Sequence, residues 1–385
     1  MKKKIGIIGS TGSIGSSLLN VIKKSDFDII FLSAKNNYKK LFKQAQIFNV
    51  KNLIITHSDS YQKAIKINKN KKIRLFNNFN FNKIIKKKLD YVMSSISGLD
   101  GLRPTFDIIK HTKKIAIANK ESIICAWPLL KKELAKHKTN FVPVDSEHFS
   151  LWNEIKDVNP DHIKKIYLTA SGGPLLNHKI NFFKKVDIST ILKHPTWKMG
   201  KKISVDSATM MNKCYEIIEA KNIFNLNYNK IDILIQPDSY VHAIVHYNNG
   251  FAKIILHNTT MEIPIFNSIY PNDKKYFKSN KIDFNKLNNL RLQDISSSRY
   301  PITNILKLLP NKHSLFETVV TSVNDEIVNE FLDKKITFND ISKKVVKIIK
   351  SQKLQKYKLI YPLKIQEILD LNSEIKLKIT KLNLL

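Results

Sequence analysis

The chain has 385 residues, 43% of them hydrophobic, and no apolar run of the roughly 20 residues that a membrane span needs, so it predicts two or three globular domains. Cys125 and Cys214 stand alone and the first apolar stretch ends at Ile8, which favours a cytoplasmic protein without a signal peptide, a disulfide framework or a zinc site. The formal net charge of +33 comes mostly from scattered lysines, with only four arginines, and this disfavours a nucleic-acid partner while remaining compatible with an acidic small molecule.

Residues 3–144 alternate short apolar runs with helical stretches. The predicted strands are KIGIIG, FDIIFLSA, NLIIT, IRLF, DYVMSS, KIAIA and FVPV. Helical spacing is clear in SIGSSLLNVIKK, YKKLFKQAQIF and KESIICAWPLLKKELAKH. Strands and helices in alternation predict an α/β fold that begins with a doubly wound, Rossmann-like parallel sheet.

The pattern changes after Val144. Strands at IKKIYLTA, IDILIQ, YVHAIVHY and FAKIILH, with one long helix near residues 206–225, predict a central α+β domain. A polar passage from Asn272 to Leu290 is interpreted as a linker or crossing segment, and helical spacing returns from Pro301 onwards. The predicted domains are therefore 1–145, 146–275 and a C-terminal helical domain at 301–385, with a linker at 276–300.

The first strand runs directly into GSTGSIG (residues 9–15), and a helix follows. Glycines let the backbone approach a pyrophosphate, and the helix N-terminus offers free N–H groups, to which Thr11 and Ser13 add hydroxyls. The second strand ends in Lys35 and Asn36, where many dinucleotide-binding proteins place an acid against the ribose. A lysine at this position can pair with the 2′-phosphate, so NADPH is favoured over NADH. A glycine-rich turn also occurs in proteins without any ligand there, and this alternative stays open.

The stretch FVPVDSEH sets two carboxylates, Asp145 and Glu147, two residues apart at the end of a predicted strand. On an extended chain both would point to the same side and would repel each other unless a cation or water lay between them. The segment therefore predicts either a cation site or a solvated strand end.

The stretch SVDSATMMNKCYEIIEAKNIF (residues 204–224) predicts an amphipathic helix. At 100° per residue, Asn212, Lys213, Glu216 and Glu219 share one arc, and the apolar side chains lie on the other. This arc either faces water or lines a site in which a carboxylate joins the two of the strand end to hold Mg²⁺ or Mn²⁺. Helix geometry does not choose between Glu216 and Glu219.

Two loop motifs lie between these stretches. TASGGP (residues 169–174) follows a strand and could present Ser171 and backbone N–H groups to an anion. HPTWKMG (residues 194–200) combines His194, Trp197 and Gly200, which suits a movable lid over a ligand.

Taken together, the motifs resemble those of the 1-deoxy-D-xylulose 5-phosphate reductoisomerase family. GSTGSIG, ANKES, VDSEH, TASGGP, HPTWKMG and SVDSATMMNK occur in the order of that family between residues 9 and 213. The resemblance implies an enzyme that uses NADPH and a divalent cation (Mn²⁺, Mg²⁺ or Co²⁺) to rearrange and reduce 1-deoxy-D-xylulose 5-phosphate to 2-C-methyl-D-erythritol 4-phosphate, in isoprenoid precursor biosynthesis. It also implies a homodimer.

The resemblance further implies a role for each matching residue. The implied metal ligands are Asp145, Glu147 and Glu216, and the implied catalytic residues are Lys120, Glu147 and His194. The implied substrate contacts are Ser146, Glu147, Ser171, His194, Ser207, Asn212, Lys213 and Glu216, with Ser171, Ser207, Asn212 and Lys213 towards the phosphate. The implied cofactor contacts are Thr11, Gly12, Ser13, Ile14, Lys35, Asn36, Asn119, Glu121 and Gly200.

Several positions depart from the usual pattern of the family, namely Ala34, Trp127, Lys198, Cys214, Gln236, Asp238, Thr260 and Glu262. None of them is an implied metal ligand, so they affect the expected packing and efficiency rather than the reaction. Lys198, in the lid, is expected to point into solvent. The competing hypotheses are an ordinary NADPH-dependent dehydrogenase without a metal, and an inactive relic that binds nucleic acid or protein.

Overall fold

The computed structural model describes residues 2–68, 72–197, 199–271 and 275–382, with side chains to residue 379. Its strands are β1 (Lys3–Ile8), β2 (Phe27–Ala34), β3 (Asn52–Ile55), β4 (Arg74–Phe76), β5 (Tyr91–Ser94), β6 (Lys114–Ile117), β7 (Asn140–Pro143), β8 (Ile163–Ala170), β9 (Ile231–Ile235), β10 (Val241–Tyr247), β11 (Ala252–Leu256) and β12 (Gln293–Asp294). All eleven strands that the sequence predicts are among them.

The α-helices of the described residues follow the same chain order. They are α1 (Ser13–Val21), α2 (Tyr38–Phe48), α3 (Ser58–Ile67), α4 (Phe81–Ile84), α5 (Leu102–Ile108), α6 (Lys120–His137), α7 (Ser146–Ile155), α8 (Ile188–Leu192), α9 (Lys201–Thr209), α10 (Met211–Phe224), α11 (Glu262–Ile269), α12 (Phe284–Asn288), α13 (Phe316–Leu332), α14 (Phe338–Ile349), α15 (Gln352–Gln355) and α16 (Ile365–Leu382). Each of them is too short or too polar to cross a membrane.

The chain forms two compact units, and the first comprises Met1–Ser122, Leu130–Asp145 and Met261–Lys278. Its sheet has the strand order β4-β3-β2-β1-β5-β6-β7, and every neighbouring pair is parallel. Strands β3 and β5 are buried along their whole length because a doubly wound sheet is covered on both faces. Strand order changes direction at β1, and ligands of such sheets bind where the order changes, beyond the carboxyl ends of the strands.

The second unit comprises Ile123–Leu129, Ser146–Thr260 and Ser279–Leu385. Its mixed sheet has the order β11-β10-β8-β9-β12, in which only β8 and β9 are parallel neighbours. Helix α10 packs against β8 and β9, while α13 packs against α9, α14 and α16. The predicted fold class is confirmed: a Rossmann-like parallel sheet, a mixed central sheet and a C-terminal helical region. The predicted domain boundaries stay a prediction.

Two local predictions were wrong. The helix expected near residues 206–225 is two helices, because Met210 takes a left-handed conformation, with φ of 75°, that ends α9 and starts α10. The extended chain expected through the two carboxylates is also absent, because β7 ends at Pro143 and α7 begins at Ser146. Glu147 therefore lies in the first turn of a helix, where its charge suits the helix dipole.

Candidate active site

The glycine turn lies between β1 and α1, at the strand where the sheet order changes. A side chain on Gly15 would place its Cβ 2.5 Å from the carbonyl oxygen of Gly9, so this glycine is required by close packing. Gly12, which precedes α1, would meet nothing closer than 3.4 Å. Internal packing thus leaves room for a side chain at Gly12, and the exposed backbone beside the helix N-terminus can be approached by an anionic group. This arrangement fits the diphosphate of a dinucleotide.

Two lysines contribute charge near this turn. Lys35 is exposed, and its ammonium lies 3.0 Å from Oδ2 of Asp100. Lys40, on the first turn of α2, donates to the carbonyl of Thr11 at 2.9 Å and to Oγ of Ser16 at 2.8 Å. Lys40 is a site residue that the sequence did not indicate, because the glycine motif does not show which residue of α2 contacts it.

The ANKES motif forms the start of α6. The carbonyl oxygen of the Asn119 side chain accepts from the backbone N–H of Ser122 at 3.0 Å, and its amide donates to the backbone carbonyls of Ile96 and Gly98. Asn119 therefore caps α6 and holds the loop after β5. The next residue, Lys120, places its ammonium 2.9 Å from Oδ2 of Asp145, with both side chains largely buried.

A cluster of buried charges joins α7 to α10 in the second unit. The ammonium of Lys213 lies 2.7 Å from Oε1 of Glu147 and also contacts Oε2 of Glu216. Asn212 donates to the other oxygen of Glu216, and Ser146 donates to Oε2 of Glu147 at 2.6 Å. A carboxylate oxygen of Glu147 and one of Glu216 lie within 4.8 Å of each other. We call Glu147, Asn212, Lys213 and Glu216 the acid–lysine cluster.

The electrostatics of this cluster are those of buried ions. Burial acts to lower the pKa of Lys213, but the carboxylates of Glu147 and Glu216 outweigh it and hold that pKa above its ordinary value. Only 4% of the Lys213 side chain and 1% of that of Glu216 are exposed. The hypothesis that this arc faces water is therefore wrong. Closely spaced carboxylate oxygens are the ligands that Mg²⁺ and Mn²⁺ prefer, so the donor set fits such a cation.

Glu219 lies one turn beyond Glu216 and has a different neighbour. Its Oε2 is 3.7 Å from Nδ1 of the fully buried His148, whose Nε2 donates to the backbone carbonyl of Glu216 at 2.8 Å. Both carboxylates lie on one side of α10, so helix geometry does not distinguish their roles. Their side-chain contacts do. Within the described contacts, Glu216 belongs to the acid–lysine cluster and Glu219 to His148.

His194 lies between two serines. Its Nε2 is 3.0 Å from Oγ of Ser171 and 3.1 Å from Oγ of Ser207. Its Nδ1 accepts from the backbone N–H groups of Thr196 and Trp197, so the proton of the neutral ring is on Nε2. Burial lowers the pKa of His194 to about 4, which keeps the ring neutral near pH 7. Hydroxyl groups and a neutral imidazole together can donate several hydrogen bonds to a phosphate.

The TASGGP turn is pressed against α9. A Cβ on Gly173 would lie 3.0 Å from Cα of Ala208 and from the backbone carbonyl oxygen of Ser207. Its φ of 70° is also in the left-handed region, which favours glycine. The turn and the helix therefore hold Ser171 and Ser207 on either side of His194.

Within the second unit, the predicted lid contacts β10 through aromatic groups. The ring of Trp197 meets that of His242 edge to face at 6.4 Å, and His242 stacks on His257 at 3.6 Å. Oγ1 of Thr196 lies 3.2 Å from Oγ of Ser239. The two stacked histidines could not be identified from the sequence, because they lie 15 positions apart and share no motif. Lys198 lies outside the described residues.

Residues 5–127 match the family model described as 1-deoxy-D-xylulose 5-phosphate reductoisomerase, and residues 141–224 and 256–378 match two models of the C-terminal domains of that enzyme. The 1-deoxy-D-xylulose 5-phosphate reductoisomerase of Pelagibacter ubique strain HTCC1062 is 54% identical over 99% of this chain and 100% of its own length. That of Wolbachia pipientis wMel is 36% identical over 91% of this chain and 89% of its own length.

Solved structures give the same result. The Zymomonas mobilis enzyme in complex with NADPH is 29% identical, with a TM-score of 0.85, and the match covers 98% of both chains. A DOX-P reductoisomerase in complex with NADPH, fosmidomycin and magnesium is 28% identical, with a TM-score of 0.88, over 98% of this chain and 97% of the other.

Proposed function

The chain belongs to the 1-deoxy-D-xylulose 5-phosphate reductoisomerase family, and from that premise we propose which of its residues perform the reaction. The enzyme depends on NADPH and a divalent cation, and it converts 1-deoxy-D-xylulose 5-phosphate to 2-C-methyl-D-erythritol 4-phosphate. The carbon skeleton is first rearranged by breaking and re-forming a carbon–carbon bond, and the resulting aldehyde is then reduced by hydride from NADPH. The observation that carries the assignment of residues is the acid–lysine cluster.

The proposed ligands of the cation are Asp145, Glu147 and Glu216. The support is that an oxygen of the partly buried Glu147 lies close to one of the buried Glu216, and that a single residue separates Asp145 from Glu147. When bound, the cation supplies Lewis-acid chemistry by polarising substrate oxygens. Lys213 offsets part of the carboxylate charge, and Asn212 orients Glu216.

The proposed phosphate contacts are Ser171, His194, Ser207, Asn212 and Lys213. The side chains of Ser171, His194 and Ser207 form one hydrogen-bonded group. Asn212 and Lys213 lie in the first turn of α10, which follows the helix of Ser207 after the break at Met210. Neutral donors and one ammonium suit a phosphate dianion. Ser146 and Glu147 would contact the sugar, with Lys120 near the reacting carbons.

The proposed NADPH contacts lie around the glycine turn: Thr11, Gly12, Ser13, Ile14, Lys35, Asn36, Asn119, Glu121 and Gly200. To these we add Lys40, whose ammonium is fixed on the turn by Thr11 and Ser16. The main contribution of Asn119 is to position the start of α6, since its side chain is already bonded to backbone groups. The segment from His194 to Gly200 closes over the substrate and excludes water.

We propose a homodimer that forms through β11. Strand β11 ends the described five-stranded sheet, and Ile254 on it is 49% exposed, with Phe251 beside it 72% exposed. An open apolar edge strand is a template for pairing with another chain, and a two-fold axis pairs it with its own copy. Ile254→Lys should shift the sedimentation coefficient of the purified protein to that of a monomer, and an unchanged coefficient would contradict this interface.

We also propose that the enzyme works in the cytoplasm. Its two cysteines are buried and are not joined by a disulfide bond, which suits a reducing compartment. NADPH and sugar phosphates are charged metabolites that are retained inside cells.

The assignment of function is tested directly with purified protein. NADPH, 1-deoxy-D-xylulose 5-phosphate and Mn²⁺ or Mg²⁺ should give a steady loss of NADPH absorbance. Removal of the metal with a chelator should stop the reaction, and added Mn²⁺ should restore it. Turnover that is unaffected by the chelator would favour an ordinary dehydrogenase.

A further inference from the structure

A buried polar network fixes α9 to α13 within the second unit. Asp206, which is 2% exposed, accepts from Nδ2 of Asn324 at 2.8 Å through one oxygen and from Nζ of Lys202 at 2.9 Å through the other. The same ammonium lies 3.0 Å from Oδ1 of Asp325 and 5.4 Å from the centre of the Tyr215 ring. We call Lys202, Asp206, Asn324 and Asp325 the α9–α13 clamp.

The position of helix α9 depends on its contacts with α8, α10, α13 and the TASGGP turn. It has nine residues, and helices of this length are marginal without tertiary contacts. Gly200 before it provides no side-chain cap, and the left-handed Met210 separates it from α10. Neither end of α9 is therefore held by a cap or by a continuing helix, and the contacts of its side chains with neighbouring elements determine where it lies.

The clamp lies next to the proposed phosphate contacts. Asp206 directly precedes Ser207, whose Oγ is 3.1 Å from Nε2 of His194. The lid segment ends at Gly200, two residues before Lys202. A displacement of α9 would therefore move Ser207 and the last residue of the lid together.

We propose that Asp206 is a positioning residue: through Lys202, Asn324 and Asp325 it sets the place of α9, and thereby of Ser207, for binding the phosphate of the substrate. The inference rests on the proposed phosphate role of Ser207. A buried carboxylate needs its hydrogen-bond partners. The loss of one hydrogen bond of Asp206 should therefore displace the segment of chain that carries this carboxylate. The effect should be larger on the binding of the sugar phosphate than on that of NADPH, since Ser207 lies within α9, whereas Gly200, one of the proposed NADPH contacts, precedes this helix.

The test is a reciprocal exchange. Asp206→Asn places an amide group where two donors require an acceptor, and we expect it to raise KM for 1-deoxy-D-xylulose 5-phosphate about tenfold, with KM for NADPH changed by less than about threefold. Asn324→Asp puts two carboxylates against each other and should do the same. The double variant Asp206→Asn/Asn324→Asp restores one donor and one acceptor, and it should bring KM back to within about threefold of the wild-type value.

Two further variants make the outcomes distinguishable. Ser322→Ala removes another buried hydrogen bond of α13, from Ser322 to Asn372 at 2.9 Å, and should leave both KM values unchanged. Ser207→Ala should itself raise KM for the sugar phosphate. If it does not, the proposed phosphate role of Ser207 is wrong.

The positioning role of Asp206 is tested by Asp206→Asn, Asn324→Asp and the double variant. If Ser207→Ala raises that KM and Asp206→Asn does not, the positioning role of Asp206 is overturned while the phosphate site stands. Should the single variants fail to fold, the double variant carries the test, because a wild-type KM supports the pairing and a tenfold increase overturns it.

Discussion

The ammonium of Lys213 on α10 lies 2.7 Å from Oε1 of Glu147 on α7, although 66 positions separate the two residues in sequence. Both side chains are largely withdrawn from water, and carboxylates in such surroundings require a counter-charge. The lysine therefore makes it possible for Glu147 and Glu216 to be buried as neighbours. The same neighbourhood of oxygens is what a divalent cation needs.

Glu216→Gln should greatly weaken the binding of a divalent cation, while the size and helix propensity of the side chain are preserved. We expect turnover with Mn²⁺ to fall by more than about hundredfold, equivalent to about 2.7 kcal/mol of activation free energy. Mn²⁺ affinity, measured by electron paramagnetic resonance of the free ion, should fall as well. The far-UV circular dichroism spectrum should remain that of the wild-type protein.

The matched control is Glu219→Gln, one turn further along the same buried helix. Its carboxylate faces His148 rather than Lys213, so Mn²⁺ affinity should change much less. Near-normal turnover of Glu216→Gln together with an inactive Glu219→Gln would show that the ligand assignment on α10 is wrong.

Cofactor selectivity should separate the two lysines near the glycine turn. Lys35→Ala removes the proposed partner of the 2′-phosphate, so the Kd for NADPH should rise about tenfold, or about 1.4 kcal/mol, with that for NADH little changed. Lys40→Met removes an ammonium fixed beside the turn that faces the diphosphate, and both dinucleotides should bind more weakly. Calorimetric titration of the enzyme without substrate measures both constants.

Lys39→Met is the control for this pair, since it removes the same charge from an exposed neighbour on α2. Its effect should be limited to long-range electrostatics and should vanish at high salt. An equal loss for both dinucleotides in Lys35→Ala would indicate a structural role for that residue, with its ion pair to Asp100 as the cause.

The fold followed from the sequence because strand and helix periodicities are local properties. The apolar residues within KIGIIG, FDIIFLSA and DYVMSS are enough to predict that each segment is a buried strand. The site was only partly predictable. The break at Met210 depends on one residue in an unfavourable backbone conformation, and tertiary packing rather than propensity stabilises it.

The same limit explains the residues that were missed. Lys40, His257 and Asp206 act through partners that lie 15 or more positions away in sequence, or on another element, and no short motif contains such a pair. The motifs that were recognised are those whose residues are neighbours in sequence, as in GSTGSIG, which forms the turn between β1 and α1.

His194 predicts a specific dependence of stability on pH. Its pKa is about 4 in the folded protein because of burial, and about 6.5 in an unfolded chain. As the pH falls through this interval, the unfolded chain takes up the proton first, so the free energy of unfolding decreases from about pH 6.5 to about pH 4. Above about pH 6.5 the ring is neutral in both states, and stability does not depend on it. His194→Gln removes this contribution, and its melting temperature relative to the wild type should improve between pH 7.5 and pH 5. A difference that does not vary with pH would contradict the low pKa.

Gly173→Ala tests the close approach of the TASGGP turn to α9. The new Cβ would lie 3.0 Å from backbone atoms of α9, so the turn or the helix must move, and we expect a lower melting temperature and a higher KM for the sugar phosphate. Gly250→Ala is the control, because Gly250 has a comparable φ of 89° and nothing within 4 Å of the added atom. It should cost only the backbone strain of about 1–2 kcal/mol, with KM unchanged. Equal KM values for the two variants would contradict a role of this contact in placing Ser207.

Trp197→Ala tests whether the lid depends on its aromatic contact. The indole meets His242 edge to face, and His242 is supported in turn by the stacked ring of His257, so truncation removes the largest apolar surface of the lid. We expect kcat/KM to fall at least tenfold, or about 1.4 kcal/mol, because an unclosed lid admits water to the site. Lys198→Ser, in the same loop, should change turnover by less than about threefold, or about 0.65 kcal/mol. Stopped-flow measurements with excess NADPH separate the chemical step from product release. A loss from Lys198→Ser as large as that from Trp197→Ala would show that the charge of the loop, rather than its aromatic contact, controls closure.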